Sequence, residues 1–97
     1  MAVFSLLIGS AAFARAGDPA LGEYLSSQCT TCHQLSGKVS GIPAIVGWDQ
    51  ESFIAVMQSY KKKERDNKVM QNIAWTLSTE DIAALAAYFA TIQSKED

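Results

Sequence analysis

Two cysteines three positions apart, followed at once by the only histidine, carry the most specific chemistry in this chain: Cys29-Thr30-Thr31-Cys32-His33. On one helical turn, two thiols at that spacing can each add to one vinyl group along a single porphyrin edge. The adjacent imidazole of His33 then reaches the iron from one face. Cys-x-x-Cys-His is the signature of covalent haem attachment. Rival chemistries fit less well. A structural zinc wants four ligands, and there is no second cysteine pair or second histidine to add to these three. A thioredoxin-type dithiol belongs to a βαβ setting, and no segment here alternates with period two. A plain disulfide would leave His33 without a role and the domain without a core.

An iron held by His33 has a second face to fill. Methionine opposite histidine raises the reduction potential of haem iron, and apart from Met1 the candidates are Met57 and Met70. Met57 falls on an apolar helical stripe, where a thioether most simply fills core. Met70 sits in a stretch read as a loop, Arg65 to Leu77, which can bring a thioether over an open haem face. Met70 is the favoured ligand; an open or water-ligated site is the alternative. Pro43 lies ten residues after His33. Its carbonyl, or one beside it, is a candidate acceptor for the second ring nitrogen of His33, a contact that orients a ligating imidazole. The competing reading is an ordinary loop proline. Trp48 and Trp75 fit either a crevice wall or plain core.

Helices must position these groups. Asp18-Pro19 sets an N-cap before a proline at the first helical position, and Leu21, Tyr24, Leu25 and Gln28 follow towards the cysteines. Asp49 can cap a second helix on which Phe53, Val56, Met57 and Tyr60 recur at i, i+3, i+4, i+7. Ser78-Thr79-Glu80-Asp81 has capping-box spacing, and Ile82, Leu85, Ala86, Phe89 and Ile92 share one side of the third helix. Gly37, Gly41, Pro43 and Gly47 break the stretch from Leu35 to Trp48 into an irregular loop. The expectation is an all-α domain of three main helices, with long loops wrapped around one covalent haem.

The chain has 97 residues, enough for one domain. Residues Val3 to Phe13 are apolar or small, and Ala14-Arg15-Ala16 has the form of a signal-peptidase site. The run is shorter than the roughly 20 residues that span a bilayer. Residues 1–16 are therefore expected to be an export signal and 17–97 the monohaem domain, periplasmic and without a stable membrane span. No basic residue precedes the run, so a buried or interfacial N-terminal helix is the other reading. Cleavage after Ala16 removes Arg15 and leaves 7 basic and 10 acidic residues, net −3. That balance gives no reason to propose nucleic acid as a partner. A domain this small needs a staple, and a haem provides an apolar body to wrap. The run from Lys61 to Lys68 holds five bases and two acids. It reads equally as a solvated helix end or as a patch that steers an acidic redox partner towards the haem.

The attachment motif near a first helix, a loop proline, a downstream methionine and a C-terminal helix make the chain resemble class I cytochromes c from about Asp18 to Ile92. The resemblance implies that the first and last helices cross, with Gly22 and Leu25 meeting Tyr88 and Phe89. A narrower similarity rests on Ile42-Pro43-Ala44-Ile45-Val46-Gly47, the Phe53–Tyr60 stripe, Val69-Met70-Gln71-Asn72-Ile73-Ala74 and Leu77-Ser78-Thr79-Glu80-Asp81-Ile82. On these the chain resembles the cytochrome subunit of flavocytochrome c sulfide dehydrogenase, in its single-haem form. That family implies His33 and Met70 as axial ligands. It also implies an FAD-containing partner subunit that oxidises sulfide and passes electrons to the haem, with other redox proteins as acceptors and no catalytic residue on this chain. A free electron shuttle is the alternative; a haem ligand sensor or peroxidase would need a vacant sixth site.

Overall fold

The computed structural model describes residues 17–34 and 41–93, which form five helices and, among these described residues, no strand. The expected export signal over 1–16 lies outside them. Helix α1 spans Pro19–Leu25, with Asp18 accepting from the Ala20 N–H at 3.0 Å and proline in the first turn. It stops at Ser26, whose hydroxyl donates to the Glu23 carbonyl at 2.7 Å. The chain then turns into α2, Ser27–Thr30. Helix α3 is Gln50–Lys61, capped by Asp49. Helix α4 is Lys68–Trp75 and α5 is Thr79–Ala90, the latter opened by the reciprocal Ser78–Asp81 capping box.

Helix α4 corrects the sequence reading, which made Arg65 to Leu77 a loop. Asn67 is extended and its side chain accepts from the Met70 N–H at 3.0 Å, which starts the helix. Met70, Ile73, Ala74 and Leu77 then fall at i, i+3, i+4, i+7 and turn inward, with Ala74 and Leu77 buried and Met70 and Ile73 half-buried. The helix forms because it has a cap and an inner stripe, although it is only 8 residues long. It would be marginal alone, so packing supplies its stability.

Helix α5 is the centre of the fold. Ile82, Leu85 and Phe89 are fully buried, each contributing about 1.5–3 kcal/mol relative to exposure. Its other side carries Ala83, Ala84 and Ala87, and α1 lies directly on it. A Cβ built on Gly22 would stand 2.1 Å from the Ala84 carbonyl oxygen and 2.7 Å from the Tyr88 Cβ. Only glycine fits a backbone approach that close. The crossing of first and last helices is therefore made of small residues, with Gly22 against Ala84 and Tyr88 and with Leu25 against the core.

Aromatic rings connect this crossing to the rest of the core. Tyr88 and Phe89 lie 5.2 Å apart, Phe89 and Phe53 5.9 Å, and Phe53 meets Trp48 edge-on at 6.3 Å. Gly47, at φ 76°, donates its N–H to the Phe89 carbonyl at 2.9 Å, which fastens the loop before Trp48 to the end of α5. Helix α3 ends in a Schellman motif: Glu64 N–H bonds the Ser59 carbonyl and Lys63 N–H the Tyr60 carbonyl. Lys63 occupies the left-handed position at φ 63°. Lys61, from the same turn, donates to the Leu77 carbonyl and so ties α3 to the turn between α4 and α5.

Candidate functional site

The attachment motif starts on α2 and keeps its helical turn beyond it. Cys32 and His33 both direct their N–H groups to the Cys29 carbonyl, at 3.1 and 2.8 Å. Thr31 adds a side-chain bond to the Ser27 carbonyl at 3.0 Å. This turn brings Cys29, Cys32 and His33 to one crevice. Both cysteines are free, Cys29 half-buried and Cys32 exposed. Burial pushes the Cys29 thiol up to about 11. That is the opposite direction from the lowered pKa of a nucleophilic thiolate. Among the described residues no three His, Cys, Asp or Glu side chains converge as a metal cage.

The crevice has a main body of about 590 Å³. A smaller recess of about 80 Å³ shares with it Cys32, His33, Ile45, Phe53, Met57, Val69 and Met70. Cys29 lines the recess, while Pro43, Trp48, Tyr60, Arg65 and Asn67 line the main body. The volume is within the roughly 300–1,000 Å³ of cofactor pockets, and the walls are mostly apolar with a few polar groups, as such pockets are built. A flat, largely apolar porphyrin fits this donor set: two thiols at one edge, an imidazole and a thioether on the walls.

His33 is half-buried, and its Nδ1 lies 2.6 Å from the Pro43 carbonyl oxygen. A carbonyl only accepts, so Nδ1 carries the proton and the Nε2 lone pair remains available to a metal. Met70 is the third residue of α4, half-buried, with its side chain on the crevice wall. Met57 also reaches the crevice, but only 5 % of it is exposed and it belongs to the core cluster on α3. The two tryptophans part company: Trp48 lines the crevice, whereas Trp75 is 70 % exposed on α4 and does not.

Several wall residues carried no signal in the sequence reading. Asn67 could have been found as an N-cap ahead of an apolar period. Arg65 was legible only as one base of the run from Lys61 to Lys68, and like Lys62, Lys63 and Lys68 it is exposed. Its guanidinium lies over the Tyr60 ring, 5.5 Å from the centroid. Its carbonyl accepts from Gln71 Nε2 at 2.7 Å. The rest of the run divides: Lys61 holds the Leu77 carbonyl, and Lys62, Lys63 and Lys68 are exposed. No described helix is long and apolar enough to cross a membrane.

No protein-family model matches the chain. Over 78 residues it is 31% identical to a cytochrome c4 of Pseudomonas aeruginosa, an alignment covering 78% of this chain and 39% of that protein. Over 75 residues it is 33% identical to the cytochrome subunit of sulfide dehydrogenase of Chlorobaculum tepidum, covering 76% of this chain and 68% of that one. The reduced recombinant cytochrome c4 of Pseudomonas stutzeri superposes with a TM-score of 0.68 at 28% identity, over 80% of this chain and 51% of that chain. The chain thus spans about two-fifths of the cytochrome c4 sequence and two-thirds of the sulfide dehydrogenase subunit.

Proposed function

Because the chain belongs to the c-type cytochromes, which hold haem c covalently and transfer electrons, we propose that Cys29 and Cys32 attach the haem and that His33 and Met70 are its axial ligands. The observation that carries this reading is the meeting of Cys32, His33 and Met70 on one apolar crevice whose recess holds Cys29. The haem supplies an iron that cycles between Fe(II) and Fe(III). The chain's own residues anchor, orient and shield it. Pro43, by accepting from Nδ1, fixes the ring plane of His33 and raises the basicity of Nε2. Helix α4, started by the Asn67 cap, delivers Met70 to the wall. Ile45, Trp48, Phe53 and Met57 present apolar surface that would shield the haem from water.

Replacing Met70 with Ala opens the sixth position and lowers the reduction potential. The methionine–iron charge-transfer band of the oxidised protein should vanish, and the reduced protein should bind carbon monoxide rapidly. An unchanged band would remove Met70 from the ligand set and return Met57 as the candidate. A thioether already on the crevice wall also disfavours a ligand sensor or peroxidase, which needs that position free.

The biological setting we favour is the electron-accepting subunit of a sulfide dehydrogenase, exported to the periplasm with residues 1–16 as its signal. Its donor would be an FAD-containing flavoprotein and its acceptors other redox proteins. The likeness to the Chlorobaculum subunit supports this, and the likeness to cytochrome c4 supports a free shuttle instead. Size-exclusion chromatography of native material separates them. Flavin co-eluting with haem at a mass well above one small domain indicates the subunit. Haem alone at the size of one domain indicates the shuttle.

A further inference from the structure

From Lys62 to Val69 every residue is exposed, so this stretch has no buried side chain of its own to fix it. Yet Arg65, Asn67 and Val69, with Met70 directly after them, all line the crevice. Segments with few buried contacts open at a low free-energy cost, so hydrogen bonds have to hold this wall in place. Gln71 makes two of them. Its backbone N–H donates to the Asn67 carbonyl at 2.9 Å, and its side-chain Nε2 donates to the Arg65 carbonyl at 2.7 Å. Gln71 is half-buried and lines neither part of the crevice, so it grips the wall without being part of it.

The turn that Gln71 closes contains the cap of α4. Asn67 is extended, at φ −169° and ψ 107°, and its Oδ1 accepts from the Met70 N–H at 3.0 Å. The backbone bond from Gln71 comes with any helix that starts here. The side-chain bond does not, and it fixes the residues that lead into the cap. We propose that Gln71 is a positioning residue for the axial methionine: its amide clasps the Arg65 carbonyl, holds Asn67 where it can cap, and so keeps the first turn of α4 and Met70 at the crevice. The proposal rests on the reading of Met70 as ligand and adds what holds that ligand in place. With the clasp released, the turn from Arg65 to Asn67 gains freedom and the cap bond is made for less of the time. The thioether then leaves the sixth position more often, although the buried part of the stripe, Ala74 and Leu77, stays packed.

The test uses the haem-loaded protein and the variants Gln71→Leu, Asn67→Ala and the two combined, with Asn72→Ala as a control at an exposed neighbouring position of α4. Leucine is close to glutamine in helix preference and lacks the donor. Imidazole added to the Fe(III) protein competes for the sixth position, so its apparent affinity rises in proportion to the fraction of molecules with methionine off the iron. Gln71→Leu should tighten imidazole binding about threefold, the ratio expected for one solvent-exposed hydrogen bond lost. Asn72→Ala should leave it unchanged. In the Asn67→Ala background, Gln71→Leu should add less than about half of its single-variant effect, because the clasp no longer has a cap to present. Two results would overturn the assignment. One is a Gln71→Leu protein that unfolds more easily but binds imidazole as the wild type does, which is what a merely structural role predicts. The other is a pair of effects that multiply in full in the double variant. Met70→Ala separates the two layers of the argument. If it binds imidazole far more tightly than wild type while Gln71→Leu does not, the Gln71 assignment alone fails. If Met70→Ala binds imidazole no better than wild type, the ligand reading fails and this proposal with it.

Discussion

Removing the Asn67 side chain should loosen the sixth ligand without unfolding the domain. Asn67 Oδ1 accepts from the N–H of Met70, the residue proposed to ligate. Helix α4 has no acidic residue in its first turn, so this cap is the main stabilisation of its N-terminal end. Replacing an asparagine cap by alanine costs about 1 kcal/mol. The inner stripe of Met70, Ile73, Ala74 and Leu77 stays packed, so the loss falls on the first turn, where Met70 sits. At room temperature about 1 kcal/mol corresponds to a roughly fivefold larger population with the first turn frayed and methionine off the iron. The alkaline loss of the methionine–iron charge-transfer band measures that population, and the rate of carbon monoxide binding to the reduced protein gives an independent reading. Asn67→Ala should show the fivefold change and Asn67→Ser, which still caps, should stay near wild type. Equal behaviour of the two variants would refute the reasoning, as would an unchanged methionine-off population in Asn67→Ala whose unfolding free energy has fallen by the full cost of a cap.

Two further outcomes concern the scaffold. Gly22→Ala puts a Cβ 2.1 Å from the Ala84 carbonyl oxygen, which is backbone and cannot swing aside; denaturant unfolding should show a loss of about 3 kcal/mol or more, and a loss under about 0.5 kcal/mol would mean α1 and α5 cross differently. Lys63→Gly relieves a left-handed lysine at φ 63° in the Schellman turn of α3. The unfolding free energy should rise by about 0.5–1 kcal/mol, since glycine adopts that conformation freely but adds entropy to the unfolded chain.

Some of this protein was determined by local sequence, because the physics involved is local. Asp18, Asp49 and the Ser78–Asp81 pair each satisfy an orphan N–H within three residues, so the starts of α1, α3 and α5 can be read without a fold. The Cys29–His33 spacing needs one helical turn and nothing more. The stripe of Phe53 and Met57 declares a buried face for the same reason. The methionine segment escaped because its cap, Asn67, follows a charged run, and its period of Met70, Ile73, Ala74 and Leu77 is short and partly exposed. Other features belong to the tertiary structure alone. Which tryptophan lines the crevice depends on the tie between Gly47 and Phe89, because that bond from outside the loop places Trp48 against Phe53. Arg65 differs from the lysines around it only through the ring of Tyr60 and the amide of Gln71. Composition treats those bases as equivalent; how α3 ends and α4 begins puts Arg65, itself exposed, on the crevice rim, turns Lys61 to the Leu77 carbonyl, and leaves Lys62, Lys63 and Lys68 exposed and off that wall.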